Sequence, residues 1–434
     1  MRINKAILVC LQLVAVLQPL KAQTALDYIE RNRNFAASNY SIYPDTLIPP
    51  QTPPPAGYQP FYLSHYGRHG SRYINSTTAF DIPRQMLLKA DSLGQLTETG
   101  KCVLKELEYI IEDTNDRWGD LTGWGKLQHR GIARRMVANF PELFRDGTHV
   151  DARSTTVTRC ILSMGVALQT LENANPRLYV TLRASQRDMN YMNFQDKKLR
   201  KGAMTPEAQK AYDDFCADLD RNPRIMRQLF VSPDSVRQFV DERWLNYYII
   251  KAGMIQQNTH LATKTYLLDL FTAEELYRMW KTENVWWFIN HGFTPLNGSR
   301  QPYTQRHLLR QLINDADSCI RMARPPVQLR YGHETVLLPL VCLLGINGFD
   351  FTTDRLEELE PHGWLAALVF PMASNLQFVF YRRDLSDRDI LFKVLLNERE
   401  ATLPLPADKA PYYHWNDFRE HYLNMLDADR RRKK

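Results

Sequence analysis

The chain has 434 residues, 44% of them hydrophobic and 24% charged, and a formal net charge of +7. These proportions describe a globular protein with room for a large core, and they exclude a disordered or fibrous chain. No twenty-residue apolar run follows the N-terminal segment, so no membrane span is expected in the mature chain.

The first residues have their own layout. Arg2 and Lys5 precede an apolar run from Ala6 to Leu17, and Ala22 is a plausible cleavage point before Gln23. This is the pattern of a secretory signal over residues 1–22, implying export to the periplasm or beyond. Its removal takes away Arg2, Lys5 and Lys21 and lowers the formal charge from +7 to +4. A modest basic excess suits an anionic small-molecule substrate. Residues 23–57 form an arm that begins with a short helical stretch and continues through Pro44, Pro49-Pro50 and Pro53-Pro54-Pro55. Prolines make such an arm extended and semi-rigid.

Gln59-Pro60-Phe61-Tyr62-Leu63-Ser64 reads as a strand that breaks into the loop His65-Tyr66-Gly67-Arg68-His69-Gly70-Ser71-Arg72. Glycine admits close backbone approach. Arg68 and Arg72 supply planar charged forks suited to phosphate or carboxylate oxygens. Two neighbouring guanidinium groups disfavour the imidazolium form of His69, so the neutral ring is expected, and a neutral imidazole is a nucleophile. His65 and His69 would share a metal only on a helix, which the strand-like approach and the glycines oppose.

Residues 76–116 carry apolar side chains at helical spacing, and a further helix runs from Leu121 to Phe140 with Thr122 as its N-cap. His149 to Thr156 reads as a short strand delivering Arg153 to its C-terminal edge. The helix from Thr158 follows, and anions collect at such an edge. Residues 186–300 are rich in charged and aromatic residues at helical spacing, which marks an all-helical cap insertion. Two of the basic residues Arg183, Arg187, Lys197, Lys198, Arg200 and Lys201 are expected to face a pocket. Gln328-Leu329-Arg330-Tyr331-Gly332-His333-Glu334 repeats the strand–glycine–histidine design, with an acid directly after the histidine. Trp364–Phe370, Leu376–Arg382 and Leu391–Asn397 read as strands, the last two as an antiparallel pair. The expected fold is α/β. A mostly parallel sheet core (residues 58–185 and 301–425) is flanked by helices, with the cap inserted and a basic tail over 426–434. The tail is the only dense basic run and does not suggest nucleic acid. There is no Walker or dinucleotide glycine pattern. The mature chain keeps five widely spaced cysteines that match no zinc template.

Taken in order, Arg68-His69-Gly70-Ser71-Arg72, Leu121-Thr122 with Gly125, Arg153-Ser154-Thr155 and Gly332-His333-Glu334 resemble the histidine phosphatase superfamily. The likeness is to its branch of acid phosphatases, phytases and multiple inositol polyphosphate phosphatases. The resemblance implies that His69 is the nucleophile, forming a phosphohistidine, and that Arg68, Arg72, Arg153 and His333 hold the phosphoryl oxygens. Three guanidinium groups would neutralise that charge without a metal or cofactor. Two departures stand out. Proline is common shortly after the second arginine in the family, and here Tyr73 is followed by Ile74. The acid phosphatases place Asp after the second histidine and the inositol branch places Ala then Glu, where this chain has His333-Glu334-Thr335. Glu334 is therefore expected to be the general acid, with an acidic pH optimum. Inositol polyphosphates are the expected substrates. The alternatives are a broad-specificity acid phosphatase and a non-catalytic binder of phosphorylated ligands.

Overall fold

In a computed structural model, residues 23–45, 48–193, 196–219, 221–262, 264 and 266–431 are described. The predicted signal segment and residues 432–434 lie outside them. Strand β1 (Gln59–Arg68) becomes wholly buried from Tyr62 onward, its polar Ser64, His65 and Arg68 included. It sits at the centre of the sheet. β2 (His149–Ser154), β3 (Tyr179–Ala184) and β4 (Val327–Gly332) extend it on one side in the order β3-β2-β4-β1, all parallel. On the other side β5 (Asn375–Arg382), β6 (Leu391–Leu396), β7 (Arg399–Ala401) and β8 (Tyr413–His414) are antiparallel. The α/β expectation holds, with the parallel half carrying the predicted catalytic segments.

Helices cover both faces. Gly123–Asn139 and Thr158–Ala174 pack on one face with Val150, Ala152 and Leu329. Arg306–Ile320, Glu334–Leu343 and Trp415–Arg431 pack on the other with Tyr62, Phe378 and Phe392. The last helix runs through Arg431, so the expected basic tail is helical as far as it is described. Its terminal arginines complement the negative end of the helix dipole.

The helical body is assembled from more of the chain than the predicted insertion. The cap helices Pro223–Leu229, Glu242–Gln256 and Ala273–His291 share one apolar cluster with Ala25, Ile29 and the helices Thr78–Ser92 and Glu98–Thr114. Those last two helices had been expected on the core side. The prolyl arm lies along the antiparallel half, where the Thr52 carbonyl accepts hydrogen bonds from Lys393 Nζ and Tyr412 Oη. Trp364–Phe370 is not a strand: Ala366–Val369 forms one helical turn, and Trp364 plugs the apolar cluster beside Phe288 and Phe349. Its apolar residues fill a core without joining a ladder. No helix among the described residues is long and apolar enough to cross a membrane.

Candidate active site

β1 and β4 end side by side, with Arg68 opposite Gly332. The loop beyond β1 is stitched to its neighbours by main-chain bonds: His69 N to Gly332 O at 3.0 Å, Arg68 N to Ser374 O at 2.7 Å and Ala373 N to His69 O at 3.0 Å. A Cβ on Gly70 would stand 2.5 Å from the Gly125 carbonyl oxygen, and one on Gly125 would stand 2.3 Å from that of Ser71. The two glycines let the loop touch the N-terminus of the helix Gly123–Asn139, whose N-cap Thr122 also donates from its main chain and its hydroxyl to Ser71 O.

The convergence predicted for five of the six residues is present. Arg68, His69, Arg72, His333 and Glu334 are all buried. Glu334 Oε2 lies 3.1 Å from Arg68 Nε and 3.6 Å from His69 Nε2, and the two imidazole rings are 5.8 Å apart, edge to face. The Gly70 carbonyl sits 2.9 Å from His69 Nδ1. A carbonyl can only accept, so Nδ1 carries the proton and the Nε2 lone pair is open. Burial pushes His69 well below the usual histidine range, and Arg68 and Arg72 act the same way against Glu334. The imidazole is therefore neutral, with burial contributing more than the arginine neighbours the sequence pointed to. His333, lowered to about 4 chiefly by burial, is held by the Thr155 hydroxyl 3.2 Å from its Nε2. For Glu334 burial acts upward, but Arg68 first, with Arg72 adding to it, outweighs burial and holds the carboxyl well below its ordinary range. It is a carboxylate when the site is empty.

Arg68 donates from Nη1 to the carbonyls of Asn39 (2.6 Å) and Phe370 (2.8 Å), and burial pushes its pKa down to about 10. Arg68 Nη2, Arg72 Nε and His69 Nε2 have no hydrogen-bond partner although buried. Unpaired donors on crowded guanidinium groups are what an anion would satisfy. His69, His333 and Glu334 offer one ligand atom each within 4.8 Å of one another, a spacing a metal could use. The cations pressed against Glu334 make the same space better suited to an anion.

Arg153 is not brought to this pocket. It pairs in register with Arg330, two residues below the Gly332 level, or roughly 7 Å down the strand. Its guanidinium is engaged by Asp151 at 2.7 Å, Tyr191 Oη at 2.9 Å and Asp315 at 3.7 Å. An arginine that does stand near Arg72 and Glu334 is Arg159, in the first turn of the helix Thr158–Ala174. Its Nε is buried without a partner, and its pKa is lowered by burial and then by Arg72, with Glu334 opposing. The signal was present in the sequence: a strand feeding a helix N-terminus. The arginine belonged in the helix's first turn, past the strand end at Ser154.

A cavity of about 580 Å³ opens from Arg72 and Glu334 toward the cap. Arg243, Trp244, Tyr247 and Lys251 of the helix Glu242–Gln256 line it, as do Glu283, Trp286 and Trp287 of the helix Ala273–His291. Tyr247 Oη donates to Glu283 at 2.7 Å and accepts from Lys251 Nζ at 2.6 Å. None of Arg183, Arg187, Lys197, Lys198, Arg200 and Lys201 is among the residues lining this cavity: Arg183 is tied to Asp188 and Asp151, and Arg200 lies near His291. The cap's basic lining residues are Arg243 and Lys251, spaced eight apart and so on one helix face.

A buried neutral imidazole caged by arginines at the C-terminal edge of a parallel sheet, beneath a helical cap, defines a phosphoryl-transfer type of site. A model of the histidine phosphatase superfamily (branch 2) matches residues 67–397, and the chain belongs to that family. The chain is 23% identical to multiple inositol polyphosphate phosphatase 1 of Drosophila melanogaster over 96% of its length and 92% of the relative. It is 24% identical to the Homo sapiens protein of that name over 83% and 78%. Among solved structures, the Bifidobacterium longum multiple inositol polyphosphate phosphatase in complex with inositol hexasulfate aligns with a TM-score of 0.73 at 17% identity, covering 88% of this chain and 96% of that one. The phytase from D. castellii aligns with a TM-score of 0.63 at 12% identity, covering 95% and 88%.

Proposed function

We propose that this chain is an exported phosphomonoesterase that hydrolyses inositol polyphosphates through a phosphohistidine at His69. The observation that carries the reading is the unprotonated, unpartnered Nε2 of a neutral His69 among Arg68, Arg72, Arg159 and His333. The Nε2 lone pair attacks phosphorus, the bond to the leaving oxygen breaks, and the arginines with His333 hold the three remaining oxygens. Glu334 is a carboxylate in the empty site. An arriving phosphoryl group brings negative charge beside it and engages the cations that keep it ionised, so its proton affinity rises on binding. Protonated in the complex, Glu334 gives its proton to the leaving alkoxide. As a carboxylate again, it takes a proton from the water that attacks the phosphohistidine. The cavity supports a bulky substrate over a single small ester because it is large for one phosphate; beyond the reaction centre Arg243 and Lys251 line it together with Asp213 and Glu283, so its size and not its net charge carries this part of the reading. Export rests on the charged and apolar layout of residues 1–22.

The test replaces His69 by Ala and follows phosphate release from inositol hexakisphosphate and from 4-nitrophenyl phosphate. Release from both substrates should fall by on the order of 10⁴-fold or more, while inositol hexakissulfate still binds. Persisting release overturns the nucleophile. A wild-type kcat/KM far higher for the aryl ester favours a broad-specificity acid phosphatase instead.

A further inference from the structure

The chain ahead of the family match reaches the catalytic centre. The 3-10 segment Arg33–Tyr40 lies before residue 67, where the match begins. Its Asn39 carbonyl accepts Arg68 Nη1 at 2.6 Å, and the Tyr40 ring lies against the Arg72 guanidinium, with Cζ 5.4 Å from the ring centroid. Both residues line the cavity. The Tyr40 carbonyl accepts Asn258 Nδ2 at 2.8 Å, and Asn258 Oδ1 accepts the hydroxyl of Ser71 at 2.6 Å. One hydrogen-bonded chain thus joins this segment, the residues just past the cap helix Glu242–Gln256, and the catalytic loop. Immediately before these contacts, buried Ser38 has φ 49° and ψ −118°, a conformation L side chains rarely adopt. Backbone in that state persists only where its surroundings over-determine it, and such residues cluster at ligand clamps.

Arg72 has few other anchors. Its Nη1 donates to the Tyr73 carbonyl at 2.9 Å, while its Nε has no partner. A guanidinium held at one corner can rock; an aromatic face against it fixes its plane. We infer that Tyr40 is a positioning residue of the phosphate site: its ring holds the plane of Arg72 toward the phosphoryl oxygens, while its carbonyl locks it to the catalytic loop through Asn258 and Ser71. This rests on the reading of Arg72 as a phosphoryl ligand. The segment Arg33–Tyr40 is then a working part of the site.

The experiment measures competitive inhibition by inorganic phosphate, and KM and kcat for 4-nitrophenyl phosphate, on Tyr40→Ala, Tyr40→Leu, Tyr40→Phe and Arg72→Ala, with thermal midpoints alongside. Tyr40→Ala and Tyr40→Leu should weaken phosphate inhibition and raise KM by roughly five- to tenfold, and Tyr40→Phe should recover most of that loss because the ring face is kept. Leu supports the surrounding packing if the Ala variant does not fold. If Arg72→Ala weakens phosphate inhibition and neither Tyr40→Ala nor Tyr40→Leu does, the inference is overturned and the site reading stands. A Tyr40→Phe variant as weak as Ala overturns it too, because the hydroxyl and not the ring would be responsible. If Arg72→Ala itself leaves phosphate inhibition unmoved, the reading of the site fails and takes the inference with it.

Discussion

Arg330 and Arg68 stand on adjacent strands, two residues apart in level, and both are fully buried. Around Arg330, three arginines meet three carboxylates. Arg330 pairs with Asp315 at 2.6 Å, Arg153 with Asp151 at 2.7 Å, and Arg183 with Asp188 at 2.9 Å. Around Arg68, the three arginines Arg68, Arg72 and Arg159 share the single carboxylate Glu334. The lower cluster is neutral in sum and has no charge left to offer. The upper one is cationic in a place water barely reaches, so an anion there gains more than it would in solvent. Arginine burial alone does not mark a site; an unmatched count of buried cations does.

That contrast can be broken by experiment. Among the charged groups of the two clusters, the largest effect is expected at the upper cluster's carboxylate, Glu334. Glu334→Gln should lower kcat by about 10²- to 10⁴-fold on inositol hexakisphosphate, less on 4-nitrophenyl phosphate, whose leaving group needs little protonation. In the wild type, the proton on Glu334 is lost as pH rises, so kcat should fall on the alkaline side, and the substitution should remove that limb. A pH–rate profile with the limb intact would assign the acid elsewhere. Next, Arg159→Ala should cost about 10²- to 10³-fold in kcat/KM with little change in thermal midpoint.

Arg153→Ala should show the reverse pattern. It removes one partner from Asp151 and Asp315, which keep Arg183 at 3.3 Å and Arg330 at 2.6 Å, so the fold should lose about 1–3 kcal/mol, with kcat/KM changed only a few-fold. Denaturant unfolding beside steady-state kinetics reads both quantities. Equal kinetic losses at 153 and 159 would erase the distinction between the clusters.

A test on stability alone concerns the histidines outside the cage. His65 and His129 lie outside the phosphate cage and are lowered to about 3, in each case chiefly by burial. A histidine whose folded pKa lies below its unfolded value of about 6.5 adds stability above pH 6.5. That stability is lost as pH falls toward the folded value, by about 1.4 kcal/mol per pH unit for each such group. The thermal midpoint should therefore drop between pH 6.5 and 4, across the range where an acid optimum is expected. A flat midpoint would show that these rings are not buried neutral.

Much of the architecture was readable because it is local. The run into Arg68, the turn at Gly332, the Thr122 cap and the antiparallel pair Leu376–Arg382 with Leu391–Leu396 each announce themselves within a dozen residues. Trp364–Phe370 misled because an apolar run does not say whether it joins a ladder or fills a hole. Arg153 is expected at the edge near which the structure puts Arg159 for a related reason. They stand six positions apart, and where the strand stops decides which arginine reaches the edge. Tyr40 and Asn39 carry no motif.

The sequence by itself determined the class of chemistry: a histidine between two arginines at a strand end, and a histidine–glutamate pair at another, both next to glycine. Tertiary structure alone decided that Arg159 and not Arg153 lies near Arg72 and Glu334, that Glu334 rests as a carboxylate, that His69 Nε2 carries no proton, and that the Tyr40 ring lies against Arg72. Charge state and aim depend on burial and on summed distances to groups hundreds of residues away, and those quantities do not exist until the chain has folded.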